Sequence, residues 1–276
     1  MKTMKLAKHT SHMSLSLITV FVCVVSVFPL FWMLLVSFKT GTQTLDPSVW
    51  FFKPTLDNYR ETFMYRNITS YLSNSFIVVV FTTLISIIIG GLAAYGFARF
   101  EFKKRENMAF WVLSLRMLPP MATVIPFFVM AQMLRILDTH LVLIICYMLF
   151  NIPFTIWMMR GFFEEIPLAI EEAALVDGCS RFQVFMKILL PLAVPGLIAT
   201  AIFCIIQSWN EFAFALFLTS SDANTLPTTV TLFLSITGVV WGEMSSVGVI
   251  TIIPVLVFAM IVQKYMIRGL TFGGVK

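Results

Sequence analysis

The sequence predicts an all-α, polytopic membrane protein with six spanning helices, and three observations carry that prediction. Of its 276 residues 59% are hydrophobic and only 12% charged, where soluble domains run near a quarter charged. The apolar residues gather into stretches of the roughly 20 residues that cross a hydrocarbon core. The basic residues between those stretches fall mostly on one side, as the positive-inside rule requires. An ordinary soluble globule and a disordered chain are excluded. So is a nucleic-acid binder, because the net charge of +5 is spread thinly through apolar sequence.

Taken in order, residues 1–13 form a basic N-terminal tail with Lys2, Lys5 and Lys8, and 14–38 the first span. That stretch is too long for a signal-peptide core and has no small-residue cleavage site, so it is expected to remain as a helix. Residues 39–66 make an extracytoplasmic loop rich in turns (Asp46-Pro47, Lys53-Pro54, Asp57-Asn58), separating the first helix from a five-helix core over 67–265. The second span, 67–98, repeats Ser86, Gly90, Ala94 and Ala98 every four residues. Such a stripe lets another helix approach closely, and helix packing is its simplest use, with pore lining the alternative.

The third span, 108–134, is interrupted only by Arg116; the fourth covers 141–159, the fifth 188–210 with an extension to about 218, and the last 244–263. A further uncharged run, 223–242, is long enough to cross but carries Thr225, Pro227, Thr228, Thr229, Thr231, Ser235 and Thr237. Orientation decides its fate. Lys2, Lys5, Lys8, Arg99, Lys103, Lys104, Arg105, Arg160, Arg181, Lys187, Lys264, Arg268 and Lys276 lie inside in a six-span reading, against Lys39, Lys53, Arg60, Arg66 and Arg135 outside. A seventh crossing would send the basic tail, 266–276, outward. Both termini are therefore expected in the cytoplasm, with 223–242 external or partly inserted.

The loop 160–191 is unusually structured. Pro167 suits a first helical turn, Glu171 and Glu172 are good helix formers, and Gly178 can take the left-handed conformation that ends a helix. Ser180 and Gln183 complete a capping box for a second helix. The first helix, about 11 residues or roughly 16 Å, is too short to cross. A short capped helix with two adjacent carboxylates suits either docking on a partner or lying along lipid headgroups.

Glu172-Ala173-Ala174, then Gly178, Ile188 and Leu190-Pro191 at the required spacings match every fixed position of the EAA motif, and the chain thereby resembles permease subunits of ATP-binding-cassette importers. The resemblance extends over nearly the whole chain and is similar to the carbohydrate-uptake branch, on the side of the smaller maltose permease subunit. It is carried by Phe51-Phe52-Lys53-Pro54-Thr55-Leu56-Asp57-Asn58-Tyr59, Ala93-Ala94-Tyr95-Gly96-Phe97-Ala98-Arg99, Trp209-Asn210-Glu211-Phe212, Gly269-Leu270-Thr271 and Gly273-Gly274-Val275-Lys276. The resemblance implies the type I importer permease fold in a bacterial cytoplasmic membrane. It also implies that Glu171, Glu172, Ala173, Ala174, Gly178, Ile188, Leu190 and Pro191 couple to an ATPase. There Glu172 would pair with a basic residue, Ala173 and Ala174 would permit close packing, Gly178 the turn, and 270–276 would reach the ATPase interface. The implied partners are a second homologous permease subunit, two cytoplasmic ATPases, an extracytoplasmic solute-binding protein, and a sugar, oligosaccharide or sugar alcohol as cargo.

Chemistry of its own is not expected of this chain. No G-x-x-x-x-G-K-[ST], H-E-x-x-H, G-x-S-x-G or C-x-x-C pattern occurs, so ATP and Mg would be handled by the partner ATPases and no cofactor or metal is assigned. The histidines (His9, His12, His140) read as surface positions and the cysteines (Cys23, Cys146, Cys179, Cys204) as small buried hydrophobes. A charge inside a span marks function, which singles out Arg116, followed by the helix-breaking Pro119 and Pro120, and Glu211, beside Gln207, Trp209 and Asn210. The first group suits a gate, a ligand site or a contact holding helices together. The second suits contact with the hydroxyls and CH faces of a sugar, or helix-end anchoring by Trp. An ion-coupled carrier should carry paired intramembrane acids or inverted repeats, and a membrane enzyme a catalytic constellation; neither is seen. A different small solute remains the nearer alternative, with Trp209-Asn210-Glu211-Phe212 favouring carbohydrate.

Overall fold

The structure, a computed structural model, describes residues 2–235 and 238–272. Residues 236–237 of the 223–242 segment and 273–276 of the tail lie outside the described residues. The helices are α1 (Lys2–Ser37), α2 (Asp57–Tyr65), α3 (Ile68–Arg99), α4 (Arg105–Ser114), α5 (Pro120–Met133), α6 (His140–Glu165), α7 (Leu168–Val176), α8 (Arg181–Val184), α9 (Leu190–Leu192), α10 (Val194–Trp209), α11 (Ala213–Leu218) and α12 (Trp241–Phe272). Strands β1 (Leu234–Ser235) and β2 (Gly238–Val239) form one small antiparallel hairpin.

Among the described residues four helices are long and apolar enough to cross a membrane: Leu15–Ser37, Ile68–Arg99, His140–Glu165 and Trp241–Ile261. Two more spans are broken, Arg105–Met117 with Pro120–Leu134 bent by 91°, and Arg181–Leu192 with Val194–Trp209 bent by 77°. Prolines account for both bends. Leu118 and Pro119 take extended ψ values of 123° and 128° before Pro120 opens α5, and Pro195 occupies the first turn of α10. The apolar run from Ile188 is therefore not one straight helix: its longer part is Val194–Trp209, and Ala213–Leu218 is a separate short helix. Residues 223–240 form no α-helix where described, only a 3-10 run at Leu226–Phe233 and the hairpin. Backbone in lipid must satisfy its hydrogen bonds as a helix or closed barrel, so this stretch is not a seventh span.

The chain divides into two compact units, Met1–Asn67 with Val230–Ile252, and Ile68–Thr229 with Ile253–Lys276. In the first, α1 presents apolar side chains in every direction from Leu15 to Phe28, as a helix bathed in lipid does. Its end is tied by the motif residue Asn58, whose Nδ2 donates to the carbonyls of Ser37 (2.8 Å) and Lys39 (2.7 Å). Ser37 Oγ meets the Tyr59 hydroxyl at 2.8 Å. Arg66 pairs with Glu243 at 2.9 Å, and Gly242 lies so close to Asn58 that a methyl group there would fall 2.4 Å from its Oδ1.

In the second unit α3 and α6 run parallel and pack more extensively than any other pair. Three contacts fix their register: Asn74 Oδ1 with His140 Nε2 at 2.8 Å, Gly90 with Thr155, and Arg99 with the carbonyls of Phe163 and Ile166. A methyl group on Gly90 would lie 2.6 Å from Thr155 Cβ. Ser86, Gly90 and Ala94 are all buried, so the small-residue stripe serves packing. On α10, Gly196 is equally crowded by the Phe162 ring.

A docking loop and a broken span as the candidate functional site

The loop after α6 folds as its sequence dictates. α7 follows Pro167, and Gly178 adopts φ +87°, a conformation nearly free of cost only for glycine. Ser180 Oγ accepts from Gln183 N at 3.3 Å while Gln183 Oε1 accepts from Ser180 N at 2.8 Å. α8 then passes through a wide turn at Phe185–Leu189 into α9. Pro191 sits just beyond, where its missing N–H leaves a carbonyl one turn earlier without its usual donor.

This loop packs on the ends of α3 and α6 through Tyr95, Met159, Phe163, Ala174, Val184, Phe185 and Leu189. The rings of Tyr95, Phe163 and Phe185 meet at 5.0 to 6.2 Å between centroids. Neighbours on a helix point about 100° apart, and the two carboxylates of α7 separate accordingly. Glu171 turns inward onto the Arg99 guanidinium, whose Nη2 also donates to the carbonyls of Phe163 (2.6 Å) and Ile166 (2.8 Å). Glu172 and Ala173 face outward beside Leu168, Ile170 and Val176, the last 88% exposed, with Phe182 of α8 nearby in sequence. Of the remaining motif residues, Ala174 is buried in the core just described, Ile188 and Leu190 are half-buried against it, and Gly178 and Pro191 are exposed. Sequence reasoning placed both acids on a partner-facing surface and missed Arg99 as the partner of one. The basic residue closing the Ala93–Arg99 motif was the available signal.

The in-span candidates divide as well. Arg116, in the 3-10 turn before the 91° bend, is exposed; its Nη2 reaches Gln207 Oε1 at 3.3 Å and its guanidinium carbon lies 4.4 Å from the Phe154 ring centroid. Among the described residues no carboxylate forms an ion pair with it. Pro119 and Pro120 lie exposed at the bend. Trp209 stands apart from this group: it is 1% exposed and packs edge-on against Phe76 at 5.1 Å, so it offers no face to a ligand. Asn210 is exposed with its amide donating to Ile206 O at 2.8 Å. Glu211 caps the start of α11 by accepting from the Phe214 and Ala215 amides at 3.0 and 3.4 Å. Of these in-span candidates, Arg116 and Asn210 are exposed and Gln207 is half-buried beside Arg116.

A third polar cluster was not legible in the sequence. Asp138, at φ +56° between α5 and α6, accepts from the amides of Ser220, Ser221, Asp222 and Ala223 and from both serine hydroxyls, at 2.8 to 3.2 Å. Burial works against its charge, but the hydrogen bonds from Ser220, Ala223 and Asp222 prevail and hold the carboxyl well below the usual carboxylate range. Asn74 braces the same turn by donating to the Asp222 and Asn224 carbonyls while its other amide atom meets His140.

The fold is that of a polytopic helical membrane protein whose short α7 is anchored on one face and exposed on the other. A family model described as "Binding-protein-dependent transport system inner membrane component" matches residues 86–272, and the chain belongs to that family. It is 38% identical over 278 residues to "Probable ABC transporter permease protein y4oR" of Sinorhizobium fredii, covering 99% of this chain and 100% of that one. It is 34% identical over 261 residues to "Trehalose/maltose transport system permease protein MalG" of Thermococcus litoralis, covering 93% and 94%. A crystal structure of a bacterial ABC transporter involved in the import of the acidic polysaccharide alginate shares the fold, with a TM-score of 0.78 at 22% identity over 94% of this chain and 97% of that one.

Proposed function

We propose that this chain is one permease subunit of an ATP-driven, binding-protein-dependent importer that moves a sugar, oligosaccharide or sugar alcohol across the cytoplasmic membrane by alternating access. The family description supports the binding-protein partner, and the trehalose, maltose and alginate transporters among its relatives support a carbohydrate cargo. In this reading a second homologous permease subunit completes the pathway. Two cytoplasmic ATPases bind and hydrolyse ATP with Mg, for which this chain supplies no site of its own. Both termini lie inside.

The observation that carries the reading is the outward face of α7. Glu172 and Ala173 stand exposed among apolar side chains on a helix whose other face is anchored in the core. An apolar patch of this kind with one carboxylate suits a cleft holding a basic residue. Arg116, Gln207 and Asn210 are the groups proposed to line the pathway, donating and accepting hydrogen bonds where the third span breaks. Glu172→Lys puts like charges face to face at the ATPase joint. It should abolish co-purification of the ATPase and ATP-dependent uptake while insertion persists; full uptake by this variant would refute the coupling role. A thermal-shift panel of sugars and polyols on the partner binding protein would name the cargo.

A further inference from the structure

The Glu171–Arg99 pair is unlike the surface ion pairs of this chain, such as Arg160 with Glu106 at 2.7 Å, whose carboxylate is 64% exposed. Both members are buried, at 7% and 6% side-chain exposure. Arg99 belongs to α3, the two carbonyls it holds close α6, and Glu171 belongs to α7, so a single guanidinium joins three helices. Its planar fork is needed for this. A lysine ammonium is a point charge on a flexible stem and cannot hold a carboxylate and two carbonyls in fixed directions. The carbonyls it caps lie at the negative end of α6, where Phe163 O otherwise accepts only from Ile166 N at 3.2 Å. Buried as they are, neither member has much solvent to fall back on if they part.

We infer that Arg99 and Glu171 are positioning residues for transport: they lock α7 to the ends of α3 and α6, so that a displacement imposed on the outer face of α7 moves both spanning helices rather than tilting α7 alone. The inference rests on the docking role proposed for α7. Two adjacent acids then have separate tasks, Glu172 contacting the motor and Glu171 transmitting what it receives. A lever transmits only as far as its joint is stiff, and a buried joint of three hydrogen bonds is stiff where a lone short helix is not.

The test uses the complete transporter in proteoliposomes with its binding protein and ATPases. In Glu171→Gln the carboxylate charge is lost and Arg99 keeps only a weakened acceptor. ATP hydrolysed per cargo molecule imported should rise about tenfold, the scale of a typical coupling between sites, while the ATPases still co-purify. Arg99→Lys should raise it too, because charge alone does not restore the geometry. A stoichiometry within twofold of wild type in both variants, on the same scale, overturns the inference. If either variant fails to assemble, hydrogen exchange on the wild-type complex decides. Residues 160–166 and 168–176 should keep equal protection in the nucleotide-free and ATP-locked states, and loss confined to 168–176 in one state overturns it. Failure of the docking reading would look different, since the Glu172→Lys complex would retain its ATPases.

Discussion

Arg99 and Arg116 lie in the same helical unit, and the chain treats them in opposite ways. Arg99 is buried and fully supplied, with Glu171 and two carbonyls; Arg116 is exposed beside a broken span, with one amide oxygen and one aromatic ring. A guanidinium in a spanning segment carries a large desolvation cost unless something compensates it. The chain compensates the first from within, which makes a rigid joint. It leaves the second open to water, to cargo or to another subunit, which makes a site whose energy changes with its surroundings.

The largest effect expected from breaking this contrast is at the joint. Glu171→Ala leaves a buried, unpaired guanidinium, and removing one partner of a buried pair costs about 3–5 kcal/mol. The thermal midpoint of the purified complex should fall sharply, or the subunit should fail to accumulate. A variant as stable as wild type would mean that water reaches Arg99 and that the joint is not sealed.

Asp138 sharpens the comparison, because it is an acid compensated by amides and hydroxyls instead of by a cation. Asp138→Asn puts an amide NH2 in place of one accepting oxygen and should cost about 1.5–3 kcal/mol, the range for hydrogen bonds to a charged group. The pH dependence has a definite sign. Because the folded carboxyl titrates below its ordinary value, its contribution is complete above about pH 4. It is lost as pH falls from there through the lowered folded value. The difference in midpoint between wild type and Asp138→Asn should therefore be constant at neutral pH and shrink in acid. A gap that widens on acidification would contradict the hydrogen-bonding account.

What the sequence disclosed divides along the same line between local and distant interactions. The six spans, the break at Pro119-Pro120, the left-handed Gly178 and the capping box of Ser180 and Gln183 all follow from residues within a turn or two of one another. The break near the start of the fifth span did not, because the bend at Ala193, just before Pro195, looks from the sequence like continuous apolar helix. Glu171 and Glu172 read as one acidic patch until their 100° separation is set against a particular neighbouring helix. Trp209 read as a sugar contact or a helix-end anchor, and its burial against Phe76, far away in the chain, was not legible. Asp138 and the serines it holds are 82 and 83 residues apart. Motif resemblance recovered some of this distant information: Asp57-Asn58-Tyr59 marks the residues that fasten the end of α1.

Arg116→Gln should have the smallest effect on stability and the most specific effect on function. Its guanidinium is exposed and gives up only a 3.3 Å contact to Gln207 and the Phe154 ring, so the thermal midpoint should correspond to a change within about 0.5 kcal/mol, as for surface substitutions generally. Uptake should nonetheless fall about tenfold, since a hydrogen bond donated by a charged group to cargo contributes about 1.5–3 kcal/mol. Protein level, ATPase association and the ATP cost per molecule should stay as in wild type. That pattern separates a pathway residue from a transmitting one, because a fault at Arg99 raises the ATP cost while a fault at Arg116 slows entry at unchanged cost. If Arg116→Gln instead destabilised the complex as strongly as Glu171→Ala, an acid from the second permease subunit would be its partner, and both arginines would be joints.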